Sequence, residues 1–157
     1  MKKHNFSAGP SILPKEVLED ASKSVLELDN IGLSLIEISH RSKEFISIME
    51  EATARVLKIT ELENKGYKAI FVQGGASLQF LMTAYNLLET KAAYINTGTW
   101  SVKAIKEAKL LGSVLEISSS QDKNYNYIPE MNNIPNDIDY LHITTNNTIF
   151  GTQYKSF

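Results

Sequence analysis

The sequence contains no cysteine among its 157 residues. Disulfides, thiolate nucleophiles and cysteine-bound metals are therefore excluded. The three histidines, His4, His40 and His142, lie far apart and lack the spacing of metal ligands. No apolar run is long enough to span a membrane, and the first residues are not followed by the hydrophobic segment of a signal peptide. These absences predict a cytoplasmic protein with no metal site and no membrane partner.

Neither sign of charge dominates the chain. The formal net charge is -2 and the sequence pI is near 5.9. Lysine and arginine are scattered among acidic residues and form no basic stripe, so nucleic acid is not an expected partner. With 43% hydrophobic and 22% charged residues, the chain can bury a sizeable core and form one globular unit.

The spacing of apolar residues alternates between helical and strand-like patterns. Short apolar runs predict strands at residues 69–72, 92–95, 113–117 and 139–144. Helical spacing predicts four helices: one after Pro14, one after an N-cap at Ser42, one after Gly75, and one from about Trp100 to Leu111. Strands that alternate with helices in this way are typical of an α/β fold with a mostly parallel sheet.

Gly74 and Gly75 lie where the predicted strand at 69–72 gives way to a helix. Glycines let the backbone approach a ligand closely, and the first N–H groups of the helix can bind an anion. The loop lacks the lysine of a Walker motif and does not match G-x-G-x-x-G. Taken alone, it fits a phosphate site and a tight turn that binds nothing about equally well.

Two further loops follow predicted strands, at residues 96–100 and 145–148, and ligands collect at the carboxyl ends of parallel strands. Trp100 is the only tryptophan and is placed to stack on a flat ligand, although a core aromatic at a helix start has the same pattern. Thr148 can bond a ligand, or its polar run can bond its own backbone. His40-Arg41 can bind an anion, or lie solvated on the surface.

Taken together, five segments are similar to those of the phosphoserine aminotransferases, pyridoxal-phosphate enzymes of the class V, fold type I aminotransferase family. The resemblance extends across nearly the whole chain. The matching segments are Asn5-Phe6-Ser7-Ala8-Gly9-Pro10, Ile38-Ser39-His40-Arg41-Ser42-Lys43-Glu44-Phe45, Gly74-Gly75-Ala76-Ser77-Leu78-Gln79-Phe80, Gly98-Thr99-Trp100-Ser101 and Asn146-Asn147-Thr148-Ile149-Phe150-Gly151.

The resemblance implies roles for six residues. Ala76 and Ser77 would bind the cofactor phosphate through backbone N–H groups, Trp100 would stack on the pyridine ring, and Thr148 would lie beside its polar edge. Arg41 would bind the carboxylate of a substrate, with His40 assisting at its phosphate. Some family members carry arginine where Ser77 stands, so a side-chain charge at that position is absent here.

The resemblance also implies a three-layer sandwich, of which this chain is an incomplete part. Residues 1–15 would form an extended segment, and residues 16–157 the N-terminal part of the large, cofactor-binding domain of a homodimer. By the same resemblance, the remainder of that domain and the C-terminal small domain would be absent from this chain.

The implied reaction is reversible amino transfer from glutamate to 3-phosphohydroxypyruvate in serine biosynthesis. It needs a Schiff-base lysine, which we expect beyond Phe157; no catalytic residue is identifiable in the sequence, and Lys155 is too close to Thr148 to match. The chain alone is therefore predicted to be inactive.

Two alternatives remain open from the sequence. One is another class V pyridoxal-phosphate enzyme, against which the His40-Arg41 segment argues. The other is a non-catalytic remnant that binds a phosphate ligand.

Overall fold

The protein is described from a computed structural model, which covers residues 3–131 and 133–156. The chain forms two compact units, Met1–Phe71 and Val72–Phe157. The predicted segments 1–15 and 16–157 begin at residue 1 and end at residue 157, and both of these residues lie outside the described ranges. The predicted position of the Schiff-base lysine, beyond Phe157, lies outside them as well.

The first unit contains two helices, α1 at Lys15–Leu26 and α2 at Lys43–Ile59. Pro14 precedes α1 with a φ of -54°, a value that suits entry into a helix. The Ser42 side chain accepts a hydrogen bond from the backbone N–H of Phe45 at 3.3 Å, which confirms the predicted N-cap of α2.

The apolar faces of these two helices are not buried. Within the described residues, neither α1 nor α2 contains a buried side chain, and Leu26 and Ile59 are 80% and 82% exposed. Local interactions support the helices, including i,i+4 ion pairs between Lys15 and Glu19 and between Arg55 and Glu51. No helix in the described ranges combines the length and apolarity that crossing a membrane requires.

The second unit has α/β architecture. In chain order it contains α3 (Gly75–Leu87), β1 (Lys91–Asn96), α4 (Thr99–Ala108), β2 (Ser113–Ser119), a 3₁₀ turn (Gln121–Lys123) and β3 (Tyr140–His142). The strands lie in the order β2-β1-β3 and both pairings are parallel. The predicted α/β class with a parallel sheet is therefore confirmed.

The core of this unit forms where α3 and α4 pack with β1. Alanines allow the backbones to approach closely, and a tyrosine and an isoleucine fill the remaining space. The buried cluster consists of Ala84, Ala92, Tyr94, Ala104, Ile105 and Ala108.

The prediction of a buried strand at residues 69–72 is wrong. This segment has no regular structure, and Ile70, Phe71 and Val72 are 77%, 58% and 54% exposed. A strand is stabilised by pairing of its N–H and C=O groups, and the described sheet has three strands, none of which pairs with this segment. An apolar, strand-like composition alone is therefore not sufficient for this segment to form a strand.

The strand predicted at residues 139–144 is shorter in the structure. Only Tyr140–His142 pairs with β1, and its residues are half-buried. Of the flanking residues, Asp139 bonds to Lys91 at the start of β1 through its carboxylate and its backbone N–H, and the Thr144 hydroxyl bonds that of Ser101.

The Asp139 carboxylate holds the amino ends of β1 and β3 together. It accepts hydrogen bonds from the backbone N–H groups of Glu89, Thr90 and Lys91 at 2.8, 2.6 and 2.9 Å. The N–H of Asp139 in turn donates to the carbonyl oxygen of Lys91 at 2.8 Å. These bonds, those from Thr90 above all, hold the pKa of Asp139 below its ordinary value of 3.8.

We expect Asp139→Asn to lower the urea midpoint of unfolding at pH 7. A depressed folded pKa means that the carboxylate stabilises the fold above pH 3.8 and loses this effect as pH falls through the lower folded value. The difference between wild type and variant should therefore shrink in acid. Asp137→Asn is the matched control, because the exposed ion pair of Asp137 with Lys91 contributes little. Equal midpoints for the two variants at pH 7 would contradict this role.

Candidate functional site

A cavity of about 390 Å³ lies at the carboxyl end of β3 in the second unit. Its lining comes from the first two turns of α3, the start of α4, the end of β3 and the loop that follows β3. Ala76, Trp100 and Thr148 each line it, so residues from all three predicted ligand loops meet there. Ser77 follows Ala76 in the first turn of α3 and is exposed.

The first turn of α3 supplies hydrogen-bond donors at one end of this cavity. Gly74 is the N-cap, with φ 99°, and no side chain caps the helix. The first N–H groups of a helix have no acceptor within the helix, and they lie at the positive end of its dipole. The backbone at Ala76 and Ser77 therefore suits an anion such as a phosphate.

The glycine at position 74 is required by the close packing of this turn. A Cβ atom there would lie 2.5 Å from Leu78 Cβ and 2.3 Å from Leu78 Cδ2. Leu78 Cβ is fixed by the helix backbone and cannot rotate away. Gly75 also has a positive φ, 55°, but a Cβ atom there meets no other atom within 4 Å.

We expect Gly74→Ala to destabilise the protein more than Gly75→Ala. The Gly75 variant should cost roughly 1–2 kcal/mol for a left-handed backbone, whereas the Gly74 variant adds a steric clash that only movement of the turn can relieve. Urea denaturation of both variants measures the difference. A Gly74 variant as stable as the Gly75 variant would show that this turn is not closely packed.

Trp100 and Thr148 form one wall of the cavity. The indole Nε1–H donates to Thr148 Oγ1 at 2.9 Å and so connects the start of α4 to the loop after β3. An indole nitrogen can only donate, so the Thr148 oxygen accepts and its own O–H remains able to donate. Lys103 Nζ lies 4.8 Å from the indole ring centroid, which is within range of a cation–π interaction.

Two aromatic side chains, His142 and Phe80, also line the cavity. The His142 ring stacks on Tyr94, with centroids 4.9 Å apart and 22° between the planes, and meets Phe80 edge-on at 6.2 Å. Burial lowers the pKa of His142, which favours the neutral imidazole. Burial, together with a 2.7 Å hydrogen bond to Tyr140, raises the pKa of Tyr94.

Neither His142 nor Phe80, which both line the cavity, is among the predicted site residues. The sequence does contain a signal for His142. Tyr140 and His142 are two residues apart on a predicted strand, so their side chains face the same side of the sheet. Within residues 3–131 and 133–156, no group of three or more histidines and acidic residues is arranged to hold a metal ion.

His40 and Arg41 belong to the first unit, in the loop before α2. Arg41 is exposed, and its backbone N–H donates to Ser39 Oγ at 3.2 Å. His40 lines a groove of about 470 Å³ along α2, together with Met49 and Leu57. The substrate-binding role of this pair stays a prediction.

Comparison with known proteins identifies the family. Residues 3–156 match the family described as aminotransferase class-V. The chain belongs to this family. A phosphoserine aminotransferase of Flavobacterium psychrophilum is 58% identical over 159 residues, which cover 100% of this chain and 45% of that protein.

Solved structures of phosphoserine aminotransferases have a similar fold. A phosphoserine aminotransferase studied for radiation damage of its Schiff base superposes with a TM-score of 0.92 at 44% identity, over 99% of this chain and 44% of that one. A pyridoxal-phosphate-bound phosphoserine aminotransferase from Trichomonas vaginalis has a TM-score of 0.88 at 35% identity, over 99% and 45% of the respective chains. The predicted family resemblance is confirmed, and the chain spans less than half the length of these relatives.

Proposed function

We propose that this chain is the N-terminal part of a pyridoxal-phosphate-dependent phosphoserine aminotransferase. The reaction is reversible transfer of the amino group of glutamate to 3-phosphohydroxypyruvate, which gives phosphoserine and 2-oxoglutarate in serine biosynthesis. The observation that carries this proposal is the meeting of Ala76, Trp100 and Thr148 at one cavity. The 58% identity to the Flavobacterium enzyme supports the choice of substrates.

The residues at the cavity fit the chemistry of pyridoxal phosphate. The cofactor has a phosphate, a flat ring and polar ring substituents. The N–H groups of Ala76 and Ser77 suit the phosphate, and the Ser77 hydroxyl offers a further donor. The indole of Trp100 offers a flat apolar surface for the ring, and the Thr148 hydroxyl a donor for a ring oxygen.

When bound, pyridoxal phosphate supplies an aldehyde that takes up the amino group and a ring that withdraws electrons from the adjacent carbon. The residues of this chain bind and orient it. Trp100 and Thr148 fix the plane of the ring, and the neutral His142 adds no charge to the cavity. The lysine that bonds the cofactor is proposed to lie beyond residue 157, since Lys155 is too near Thr148 in sequence.

Arg41 and His40 are proposed to bind the acidic substrates. A guanidinium donates two parallel hydrogen bonds to a carboxylate, and its charge is retained at any relevant pH. Arg41 is exposed and therefore accessible to such a group. We further propose that residues 16–157 form the N-terminal part of the cofactor-binding domain, in a cytoplasmic homodimer.

Expression of the complete gene tests the function directly. We expect the purified product to form phosphoserine from glutamate and 3-phosphohydroxypyruvate, with visible absorbance from bound pyridoxal phosphate. The 157-residue chain should show no turnover. A complete product that binds the cofactor but uses other amino acceptors would favour another class-V enzyme, and one that forms no cofactor adduct would favour a non-catalytic phosphate-binding protein.

Arg41→Lys tests the substrate site in the same complete product. Because lysine lacks the planar fork, we expect the KM for glutamate to rise about tenfold, which corresponds to about 1.4 kcal/mol. Cofactor absorbance should be unchanged. Arg55→Lys is the matched control, since Arg55 pairs with Glu51 on the surface of α2. Equal KM values for the Arg41 variant and wild type would show that Arg41 does not bind glutamate.

A further inference from the structure

A row of buried hydroxyl and amide groups lies behind the Trp100–Thr148 wall. Thr97 and Ser101 are 0% exposed and Asn147 is 1% exposed. Ser101 Oγ lies 3.2 Å from the N–H nitrogen of Thr97, 3.2 Å from Thr97 Oγ1 and 2.8 Å from Thr144 Oγ1. Thr97 Oγ1 lies 3.4 Å from Asn147 Oδ1. The network connects the end of β1, the start of α4 and the loop after β3.

One assignment of donors and acceptors satisfies every group in this row. The Asn147 amide nitrogen donates to Thr152 Oγ1 at 3.0 Å, so Asn147 Oδ1 must accept from the Thr97 hydroxyl. Thr97 Oγ1 then accepts from the Ser101 hydroxyl. Ser101 Oγ, whose proton is committed, accepts from Thr144.

A network with one consistent set of donors resists rearrangement. Movement of these loops would leave a buried donor or acceptor unpaired, which is unfavourable. Thr97, Ser101 and Asn147 are buried, so solvent does not replace a partner that they lose. The loops that carry them therefore have one strongly preferred arrangement.

The row reaches the wall at two points that are adjacent in sequence. Ser101 directly follows Trp100, and Asn147 directly precedes Thr148. The backbone of each wall residue is thus anchored by its neighbour, while their side chains bond each other at 2.9 Å. Thr144 also lines the cavity, so one member of the row lies at its surface.

We propose that Ser101 and Thr144 are positioning residues, which fix Trp100 and Thr148 in their binding arrangement before a ligand enters. The identity of the ligand rests on the proposed function, but the preset wall does not. Trp100 reports on the wall directly, because it is the only tryptophan of this chain.

Ser101→Ala and Thr144→Val test the proposal, with Thr144→Ser as the variant that restores the hydroxyl. The product of the complete gene is used, and the signal of Trp100 is obtained by subtracting that of a Trp100→Phe variant. Without ligand, the first two variants should show lower fluorescence anisotropy and greater acrylamide quenching of Trp100, while Thr144→Ser matches wild type. For Ser101→Ala and Thr144→Val, the Kd for pyridoxal phosphate should rise about tenfold.

Tyr140→Phe is the matched control. It removes one hydroxyl hydrogen bond, that between Tyr140 of β3 and Tyr94 of β1, and lies outside the row. It should lower stability without changing the Trp100 signal. Trp100 signals and Kd values at the wild-type level in folded Ser101→Ala and Thr144→Val variants would overturn the proposal, as would equal changes in the Tyr140 variant. If the wild-type protein binds no pyridoxal phosphate, the proposed function fails, while the ligand-free Trp100 signals still decide this inference.

Discussion

The burial of β1 between two parallel neighbours is the constraint on which the rest of the second unit depends. Ala92, Ala93 and Ile95 are 0% exposed, and Tyr94 is 1% exposed. A strand in this position has its backbone groups paired on both sides, with β2 along one edge and β3 along the other. The small side chain of Ala92 allows close packing with Ala104 and Ala108 of α4 in the core.

That constraint also places the site. Because both neighbours run parallel to β1, the carboxyl ends of β1 and β3 lie at the same end of the sheet, and the residues that follow the two strands meet there. Thr97 and Thr144 are the residues that meet, each bonded to Ser101. At the other end, Asp139 sets the alignment of β3 with β1, so that Ala92 pairs with Tyr140 and Tyr94 with His142. The same alignment brings His142 to the lining of the cavity.

The sequence was informative where local and long-range preferences agree. β1, α4 and the Ser42 cap were all predictable, since periodicity, burial and capping chemistry favour the same structure there. Residues 69–72 show the opposite case: their composition favours a strand, but pairing depends on distant residues that composition does not specify. The roles of Ser101 and Thr144 were equally hidden, because a hydroxyl bond between residues 43 apart leaves no local pattern. Trp100 and Thr148 were found because they follow strands, a position that sequence does reveal.

The two ends of the cavity are held by different kinds of contact. The wall formed by Trp100 and Thr148 is anchored by buried polar groups, whose geometry is directional. The first turn of α3, by contrast, follows an exposed segment that no described strand pairs with, so its position depends on the helix itself. Ala84 of α3 lies in the core, and Phe80 contacts the ring of His142. Apolar packing of α3, which tolerates small shifts better than a buried hydrogen bond does, therefore sets the distance between the anion-binding turn and the wall.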